Sequence, residues 1–268
     1  MRPMLSEFSY GYALTEQLTR SASGTLIAAP IFPSLVAEGQ PDAGYDVQIP
    51  FPVAPLFLQF KVSHRMQRGN AAEYGLFNGP YYRMPIRPSR FSNQHAALLN
   101  LEQRGEHVFY AAPYFHTTPE LNVAYLSRTV VERSAFFPPS VIGPLPDQYD
   151  HYVSFSVATA YFCSEPKKLD YDFSGASHVE RFRALAQRAE SNADKRFFLD
   201  LLDNMGATLS EEGKFPEHLA RLHDPEFREA LSRAEAARLA AFTARSCFDA
   251  ELLLLRYKRA HHSRKPPR

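Results

Sequence analysis

The apolar segment at residues 55–63 constrains the fold of this chain more than any other stretch. It reads Pro-Leu-Phe-Leu-Gln-Phe-Lys-Val-Ser, and its long polar residues are Gln59 and Lys61. Side chains alternate between the two faces of a strand, so Gln59 and Lys61 point to one face while Leu58 and Phe60 point to the other. The segment therefore predicts a strand that packs on one face and presents an amide and an amine on the other.

A carboxylate precedes this strand. Twelve residues separate Asp46 from Gln59, and Asp46 opens a short predicted strand at residues 46–49 that follows a turn-prone run at residues 39–44. A hairpin between the two strands brings the carboxylate of Asp46 beside Gln59 and Lys61. The sequence thus predicts an acid, an amide and an amine at one place.

This combination suits phosphodiester hydrolysis. Magnesium takes oxygen ligands from carboxylates, amides and backbone carbonyls, and Asp46, Gln59 and the carbonyl of Phe60 offer that set. An ammonium group such as that of Lys61 stabilises the negative charge that develops on the phosphate. An ordinary sheet whose polar face carries these three side chains is the alternative.

A helix precedes the predicted strands. Residues 5–21 show helical spacing of apolar residues, and Glu16 lies at the edge of the apolar face. Its carboxylate is a candidate fourth member of the site, with a surface glutamate as the alternative. Counted from this helix, the predicted elements are a helix, three strands, a helix, a strand and a helix. They lie at residues 5–21, 25–29, 46–49, 55–63, 92–104, 107–112 and 118–126. We expect Ser92 and Thr118 to cap the last two helices.

This order and these motifs resemble the PD-(D/E)XK, or restriction-endonuclease-like, nuclease superfamily, and within it the Mrr-type branch. Gly44-Tyr45-Asp46 and Gln59-Phe60-Lys61 occupy the places of that branch's second-strand and third-strand motifs. The residues from Phe115 into the next helix are similar to the passage that follows the family's fourth strand. The resemblance implies an α/β fold with a restriction-endonuclease-like αβββαβ core and a mixed sheet, followed by a helical C-terminal region.

The resemblance also implies an activity. It assigns Asp46 as the principal ligand of Mg²⁺ or Mn²⁺ and Gln59 as a second ligand or a residue that holds water. Lys61 orients the attacking water or stabilises charge on the phosphate, and Glu16 is the optional carboxylate of the first helix. The activity implied is that of a metal-dependent nuclease acting on DNA, with restriction or antiviral defence as its context. Because Gln59 stands where a carboxylate is more common, the alternative is a catalytically inactive nuclease fold that serves as a nucleic-acid-binding or scaffold subunit.

Charge is distributed unevenly along the chain. The formal net charge of +1 argues against nucleic-acid binding by bulk charge, but residues 61–90 contain six cations against one anion, Glu73. The residues predicted to contact substrate phosphates are His64, Arg65, Arg68 and Arg83. A solvated face is the alternative for this basic stretch.

The remaining composition narrows the class of protein. Cys163 and Cys247 lack the spacing of a zinc site or a disulfide framework, and no apolar run has the length of a membrane helix. We therefore expect a cytoplasmic protein that does not associate with membranes.

Two regions are predicted along the chain: a nuclease-like α/β domain at residues 1–165 and a helical region at residues 166–268. Helices are expected at residues 178–190, 194–205 and 225–259. The apolar stripe of the last helix predicts packing against its own domain, with a protein partner or self-association as the alternative.

Overall fold

A computed structural model describes residues 1–21, 53–69, 71, 73–163, 166–211, 213 and 215–255. The predicted strands at residues 25–29 and 46–49, and with them Asp46, lie outside the described residues.

Ten helices and nine strands are labelled here within this part of the chain. The helices are α1 (Glu7–Ser21), α2 (Tyr74–Phe77), α3 (Gln94–Gln103), α4 (Thr118–Leu126), α5 (Pro139–Ile142), α6 (Gly175–Arg188), α7 (Lys195–Glu211), α8 (Glu217–Ala220), α9 (Pro225–Ala230) and α10 (Arg233–Phe248). The strands are β1 (Ala54–Phe60), β2 (His64–Met66), β3 (Tyr81–Ile86), β4 (His107–Pro113), β5 (Ser134–Phe137), β6 (His151–Phe155), β7 (Ala160–Phe162), β8 (Lys167–Lys168) and β9 (Glu251–Leu255).

The strand that contains Gln59 lies inside a four-stranded mixed sheet with the order β5-β4-β1-β9. Strand β1 runs parallel to β4 and antiparallel to β9, and Leu58 lies opposite Glu251 while Gln59 lies opposite Tyr110. A strand with neighbours on both edges and cover on both faces is buried throughout, which explains its nearly continuous apolar sequence. The mixed α/β architecture with a mixed sheet is confirmed.

The two faces of β1 pack against different helices. Leu58 and Phe60 belong to an apolar cluster with α1 and α6, whereas Phe57 belongs to a second cluster with α3, α7 and α10. Gly11 of α1 lies directly against the ring of Phe60, and a Cβ atom at residue 11 would overlap that ring. The predicted alternation of side chains along this strand is therefore confirmed. The prediction that the strand packs on one face only is wrong, because helices cover both faces and Gln59 is fully buried.

A second, antiparallel sheet has the strand order β2-β3-β6-β7-β8. Strands β3, β6 and β7 pair in turn at its centre. Strand β2 pairs in register with β3, with His64 opposite Arg83.

The C-terminal region contains the predicted helices, with one correction. Helices α6 and α7 form where expected, but the single helix predicted at residues 225–259 is wrong. The chain forms two helices, α9 and α10, with Ser232 as a new N-cap between them, and after α10 it turns and enters the sheet as β9. Leu253 and Leu255 pack in the cluster of α1, while Leu252 and Leu254 pack against the other cluster. A short run of leucines fits both a helical and a strand period, so the sequence alone does not distinguish them.

The apolar cluster on the α3 face of β1 includes residues on both sides of the predicted boundary at 165. Phe57 and Leu98 lie in it together with Phe198, Leu202 and Phe248. The helices α7 and α10 thus cover the same sheet that carries Gln59. Among the described helices, none combines the length and the apolar character that crossing a membrane requires.

Two predicted helix caps are each displaced by one residue. The N-cap of α4 is Thr117 rather than Thr118, and it forms a capping box with Glu120. The N-cap of α3 is Asn93, although the hydroxyl of Ser92 still accepts a hydrogen bond from the backbone N–H of Gln94. Thr118 instead donates its hydroxyl hydrogen bond to the carbonyl of Met4, which fastens the segment before α1 to the start of α4.

Candidate functional site

The carboxyl end of β1 places Gln59 and Lys61 in a buried environment. Gln59 is 0% exposed and Lys61 is 7% exposed. The amide Nε2 of Gln59 lies 3.4 Å from Oδ2 of Asp249, at the long limit of a hydrogen bond, and its Oε1 is buried without a hydrogen-bond partner. The backbone N–H of Lys61 donates to the carbonyl of Ala111 at 2.9 Å, which holds the chain beside β4 beyond the end of the strand.

Three carboxylate residues that sequence reasoning did not select surround this end of the strand. Glu7 lies in the first turn of α1, Asp249 follows α10, and Glu251 begins β9. The packing of Gly11 on Phe60 sets the position of α1, and the pairing of Leu58 with Glu251 sets that of β9. The pocket that results is lined by Glu7, Phe8, Gly11, Phe60, Arg245, Asp249 and Glu251. We call the three carboxylates, Glu7, Asp249 and Glu251, the acidic cluster.

Positive charge balances this cluster only in part. Nη1 of Arg245 lies 3.0 Å from Oε1 of Glu251, although the geometry is not that of a hydrogen bond, and 3.8 Å from Oδ1 of Asp249. Burial raises the pKa of Glu251, while Arg245 lowers it and the charge of Asp249 raises it. The pKa of this buried carboxyl is therefore above its usual range despite its arginine neighbour.

The pKa of Glu7 is also raised. Although the residue is exposed as a whole, burial of its carboxyl raises the pKa, and the charge of Asp249 raises it further. Lys61, Arg245 and a hydrogen bond from the backbone of Val62 act in the opposite direction. Two carboxyls with raised pKa values therefore share one pocket with a third carboxylate.

Asp249 has an unusual backbone conformation. Its φ of 51° and ψ of 36° place it in the left-handed region at the C-cap of α10. Glycine is the common residue at such helix ends because a side chain is strained there, although aspartate and asparagine tolerate the conformation best among the others. A carboxylate also lies at the negative end of the α10 dipole here.

The other predicted catalytic and metal-binding residues are Glu16, Phe60 and Asp46. Glu16 is half-buried on α1 and lies about two and a half turns beyond Glu7, which is the α1 carboxylate that lines the pocket. The side chain of Phe60 packs on α1, and its carbonyl remains a predicted ligand. Asp46 lies outside the described residues.

The predicted phosphate contacts come from β2 and β3 and the segment between them. Arg65 forms an ion pair with Glu120, Nη1 to Oε1 at 3.6 Å, while Arg68 is exposed. Burial lowers the pKa of His64, as do the N-terminal amino group and the charges of Arg83 and Arg2. His64 is therefore held in its neutral form more than an ordinary histidine.

Arg83 belongs to a closed polar network. It donates to Oε2 of Glu73 and lies over the ring of Tyr152, 4.0 Å from the ring centre. The hydroxyls of Tyr81 and Tyr152 each donate to Glu73 at 2.6 Å. Burial raises the pKa of Glu73, but these three donors outweigh it and leave the pKa below its usual value. We call Glu73, Tyr81, Arg83 and Tyr152 the Glu73 network.

The part of the chain that the structure describes offers few side chains for a metal site. There, no group of three or more histidine, cysteine, aspartate or glutamate side chains is arranged to hold one. A magnesium site at β1 therefore needs the amide of Gln59, and the predicted set adds Asp46. Comparison with protein-family models, with curated proteins and with solved structures gives no match for this chain.

Proposed function

We propose that this chain is a Mg²⁺- or Mn²⁺-dependent nuclease that hydrolyses phosphodiester bonds in DNA, with its active site at the carboxyl end of β1. The observation that carries the proposal is Gln59, whose buried Oε1 has no hydrogen-bond partner and whose amide faces Asp249. An unpartnered buried polar group costs about 1–3 kcal/mol. A bound cation gives this oxygen a partner and offsets the charge of the acidic cluster.

The residues present fit such an ion in chemical type. Oxygen atoms of amides and carboxylates are the ligands that Mg²⁺ and Mn²⁺ prefer, and Mg²⁺ needs only one or two carboxylates because it keeps several waters. The bound ion supplies a polarised water and charge compensation on the phosphate. In the proposal, Asp46 and the Phe60 carbonyl complete the ligand set, and Glu16 remains an optional acid.

Lys61 and the basic residues have separate parts in the proposal. The ammonium group of Lys61 acts at the centre of the site, where its positive charge stabilises the phosphate. Arg68, which is exposed, suits contact with the DNA backbone, and His64 and Arg65 lie on the neighbouring β2. Arg83 has its guanidinium engaged by Glu73, so any contact of Arg83 with phosphate competes with that ion pair.

One observation favours a second candidate function. Arg245 already lies between Glu251 and Asp249, which lowers the negative charge that the pocket offers to a metal ion. An inactive nuclease fold that binds nucleic acid or assembles with a partner protein is compatible with this arrangement. For either function we propose restriction or antiviral defence as the context, and this rests on the resemblance to the PD-(D/E)XK nuclease superfamily alone.

A cleavage assay tests the proposal. Supercoiled plasmid and single-stranded DNA are incubated with the full chain in Mg²⁺, in Mn²⁺ and in chelator, alongside Asp46→Asn and Lys61→Met. Lys168→Met is the matched control, because Lys168 is exposed on β8. We expect metal-dependent cleavage that falls by about 100-fold or more in both site variants and is unchanged in the control.

Folding must be followed in the same variants because Lys61 is buried. Circular dichroism and melting temperature identify a variant that has lost its structure. Equal cleavage by the wild type and both folded site variants would contradict the proposal. Absence of cleavage together with DNA binding by the wild type would favour the second candidate.

A further inference from the structure

Two exposed aromatic rings lie on neighbouring loops outside the proposed active site. Phe91, on the loop before α3, is 66% exposed, and Tyr149, on the loop before β6, is 61% exposed. Rings of this size contribute most to stability when they are buried in a core. Packing within the described part of the chain therefore does not explain why both rings face solvent.

Arg90 brings the two rings together. The central carbon of its guanidinium lies over the ring of Phe91, 4.7 Å from the ring centre, and 5.7 Å from the centre of the Tyr149 ring. Both distances are within the range of a cation–π contact. We call Arg90, Phe91 and Tyr149 the aromatic platform, in which each ring gives part of its surface to the guanidinium and most of it to solvent.

Hydrogen bonds hold the two loops of the platform against each other. Arg90 donates to the carbonyl of Gln148 at 3.5 Å and to Oδ1 of Asp150 at 3.1 Å. The hydroxyl of Ser89 donates to the carbonyl of Asp147 at 3.4 Å. These contacts restrict the rings before a ligand arrives, which lowers the entropy that is lost on binding.

The platform lies close to the edge of the mixed sheet at which the proposed active site is placed. Gln94, the first residue of α3, follows Phe91 by three residues, and its Nε2 donates to the carbonyl of Phe248 at 3.3 Å. The residue after Phe248 is Asp249, which lines the pocket together with Phe60. Three residues span at most about 11 Å, so a single strand of DNA bound at the end of β1 can extend to the platform.

We infer that the aromatic platform binds unpaired bases of single-stranded DNA by stacking. Bases of every kind have flat faces that stack on aromatic rings and on the plane of a guanidinium group. In a duplex these faces are covered by the neighbouring bases, so the platform distinguishes unpaired from paired strands. This inference rests on the proposed action on DNA and names the form of DNA that is bound.

The charges around the platform suit a base better than a phosphate. Asp150 pairs with Arg90, and Asp147 is exposed on the same loop, whereas Arg87 is an exposed cation on the other loop. Bases are uncharged, so stacking on the platform does not require an excess of positive charge. Exposed aromatic rings beside arginine are also typical of protein–protein contacts, and the nearness of the proposed active site favours DNA over a protein partner.

The test measures binding of a fluorescently labelled oligothymidylate to the full chain by anisotropy, with chelator present so that metal-dependent cleavage does not occur. The variants are Phe91→Ala and Tyr149→Ala, and Phe215→Ala is the matched control, because Phe215 is an exposed phenylalanine far from both loops in the sequence. We expect the Kd to rise by about tenfold in each platform variant and to stay unchanged in the control. Because both platform rings are exposed, melting temperatures should stay close to that of the wild type.

A second ligand separates contacts with bases from contacts with phosphates. An abasic oligonucleotide of the same length keeps the sugar–phosphate backbone and lacks the bases. We expect the wild type to bind it about tenfold more weakly than the oligothymidylate, and Phe91→Ala to bind it with the same affinity as the wild type does.

Phe91→Trp tests for stacking directly. The chain contains no tryptophan, so the introduced indole is the only one that fluoresces. We expect this variant to keep the affinity of the wild type, because the larger ring also stacks on bases. Its indole emission should be quenched by the oligothymidylate and not by the abasic strand.

Three results would overturn the inference. They are equal affinity of the wild type and both alanine variants for the oligothymidylate, equal affinity of the wild type for the normal and abasic strands, and absence of DNA binding by the wild type. Sedimentation of the same samples covers the protein alternative. Self-association of the wild type that is lost in Phe91→Ala, without a change in DNA affinity, would assign the platform to a protein contact instead.

Cleavage measured on the same samples in Mg²⁺ and Mn²⁺ separates this inference from the proposed function. Binding of single-stranded DNA that depends on Phe91, without any cleavage by the wild type, supports the platform and contradicts the nuclease. Metal-dependent cleavage of single-stranded DNA that is unaffected in both alanine variants supports the nuclease and contradicts the platform.

Discussion

The two sheets of this protein each hold carboxylates beside arginine, but with opposite consequences. In the antiparallel sheet, Glu73 receives hydrogen bonds from two tyrosines and an arginine, and its pKa is lowered. At the end of β1 in the mixed sheet, burial dominates for Glu7 and Glu251, and their pKa values are raised. The two places thus differ in how far hydrogen bonds and positive charges from the surrounding chain offset the burial of their carboxylates.

This difference is the basis for assigning a structural role to the Glu73 network and for proposing a binding site beside the acidic cluster. In the Glu73 network the carboxylate already receives three donors from within the chain, so it has little to gain from a ligand, although Nε of Arg83 is buried without a hydrogen-bond partner. At the acidic cluster burial of the carboxyls is not outweighed, and Oε1 of the neighbouring residue Gln59 is buried without a hydrogen-bond partner, which is the basis of the proposed metal dependence. Five substitutions test this contrast; the first three are given from the largest expected effect on stability to the smallest, and the last two test its dependence on pH.

The largest effect is expected from Glu73→Ala. The substitution leaves the guanidinium of Arg83 without its carboxylate in a largely buried position, which costs about 3–5 kcal/mol of unfolding free energy. Chemical denaturation measures this loss. Glu180→Ala is the control, because Glu180 pairs with Arg183 on the surface, where such a pair contributes about 1 kcal/mol or less. Equal losses in the two variants would show that the Glu73 network is not a structural unit.

Gly11→Ala should lower the unfolding free energy, because Gly11 packs α1 against β1 of the mixed sheet. The added methyl group overlaps the ring of Phe60, so α1 or the ring must move, at a cost of about 1–3 kcal/mol. Because α1 carries Glu7, we also expect weaker Mn²⁺ binding. Gly75→Ala in α2 is the control, since a Cβ atom there meets no neighbouring atom within 4 Å. Unchanged stability in Gly11→Ala would show that α1 adjusts freely against β1.

Gln59→Leu should separate stability from binding. It replaces a buried amide by an apolar side chain of similar size, so we expect the unfolding free energy to change by about 1 kcal/mol or less, or to rise. Mn²⁺ binding and DNA cleavage should be lost. Denaturation, calorimetry and the plasmid assay measure the three properties. A loss of stability as large as that of Glu73→Ala would mean that the amide is a structural group after all.

The smallest effect concerns pH. Because the pKa of Glu251 is raised in the folded protein, ionisation of this carboxyl opposes folding as pH rises from its ordinary value of 4.5 through the raised value. Glu251→Gln should therefore be more stable than the wild type at neutral pH, and the difference should vanish near pH 4.5.

Glu73 should show the opposite pH dependence. Its lowered pKa contributes stability that is present above 4.5 and lost as pH falls through the folded value, so Glu73→Gln should lose least in acid. Melting temperatures across this pH range measure both differences. The same pH dependence for both variants would contradict the contrast between the clusters.

The sequence was informative where local rules apply. The strand β1 and the alternation of its side chains are predicted because alternation is a property of neighbouring residues, and the packing of Leu58 and Phe60 against α1 confirms it. The cover on the face of Gln59 comes from helices distant in the sequence, so the prediction of an open face is wrong. The helices α3 and α4 were also predicted, each with its cap displaced by one residue. The proposed ligand Asp46 lies outside the described residues and stays a prediction.

The acidic cluster was not predictable by the same means. Gln59 and Asp249 are 190 residues apart in the sequence, and they meet only because β9 pairs with β1. That pairing depends on a strand whose leucines fit a helix equally well. Asp249 lies inside the helix predicted at residues 225–259, and its left-handed backbone conformation is not legible in a single sequence. The sequence predicts Glu16 as the α1 carboxylate of the site, whereas the α1 carboxylate that lines the pocket is Glu7.

The pairing of β9 with β1 also determines when the pocket can form. Two of its three carboxylates belong to the last described turn and strand, so they are translated long after β1 and α1. A nascent chain that has synthesised β1 but not β9 has Gln59 and Lys61 without Asp249 and Glu251. Assembly of the site is therefore coupled to the completion of the sheet, and a partly made chain lacks the pocket.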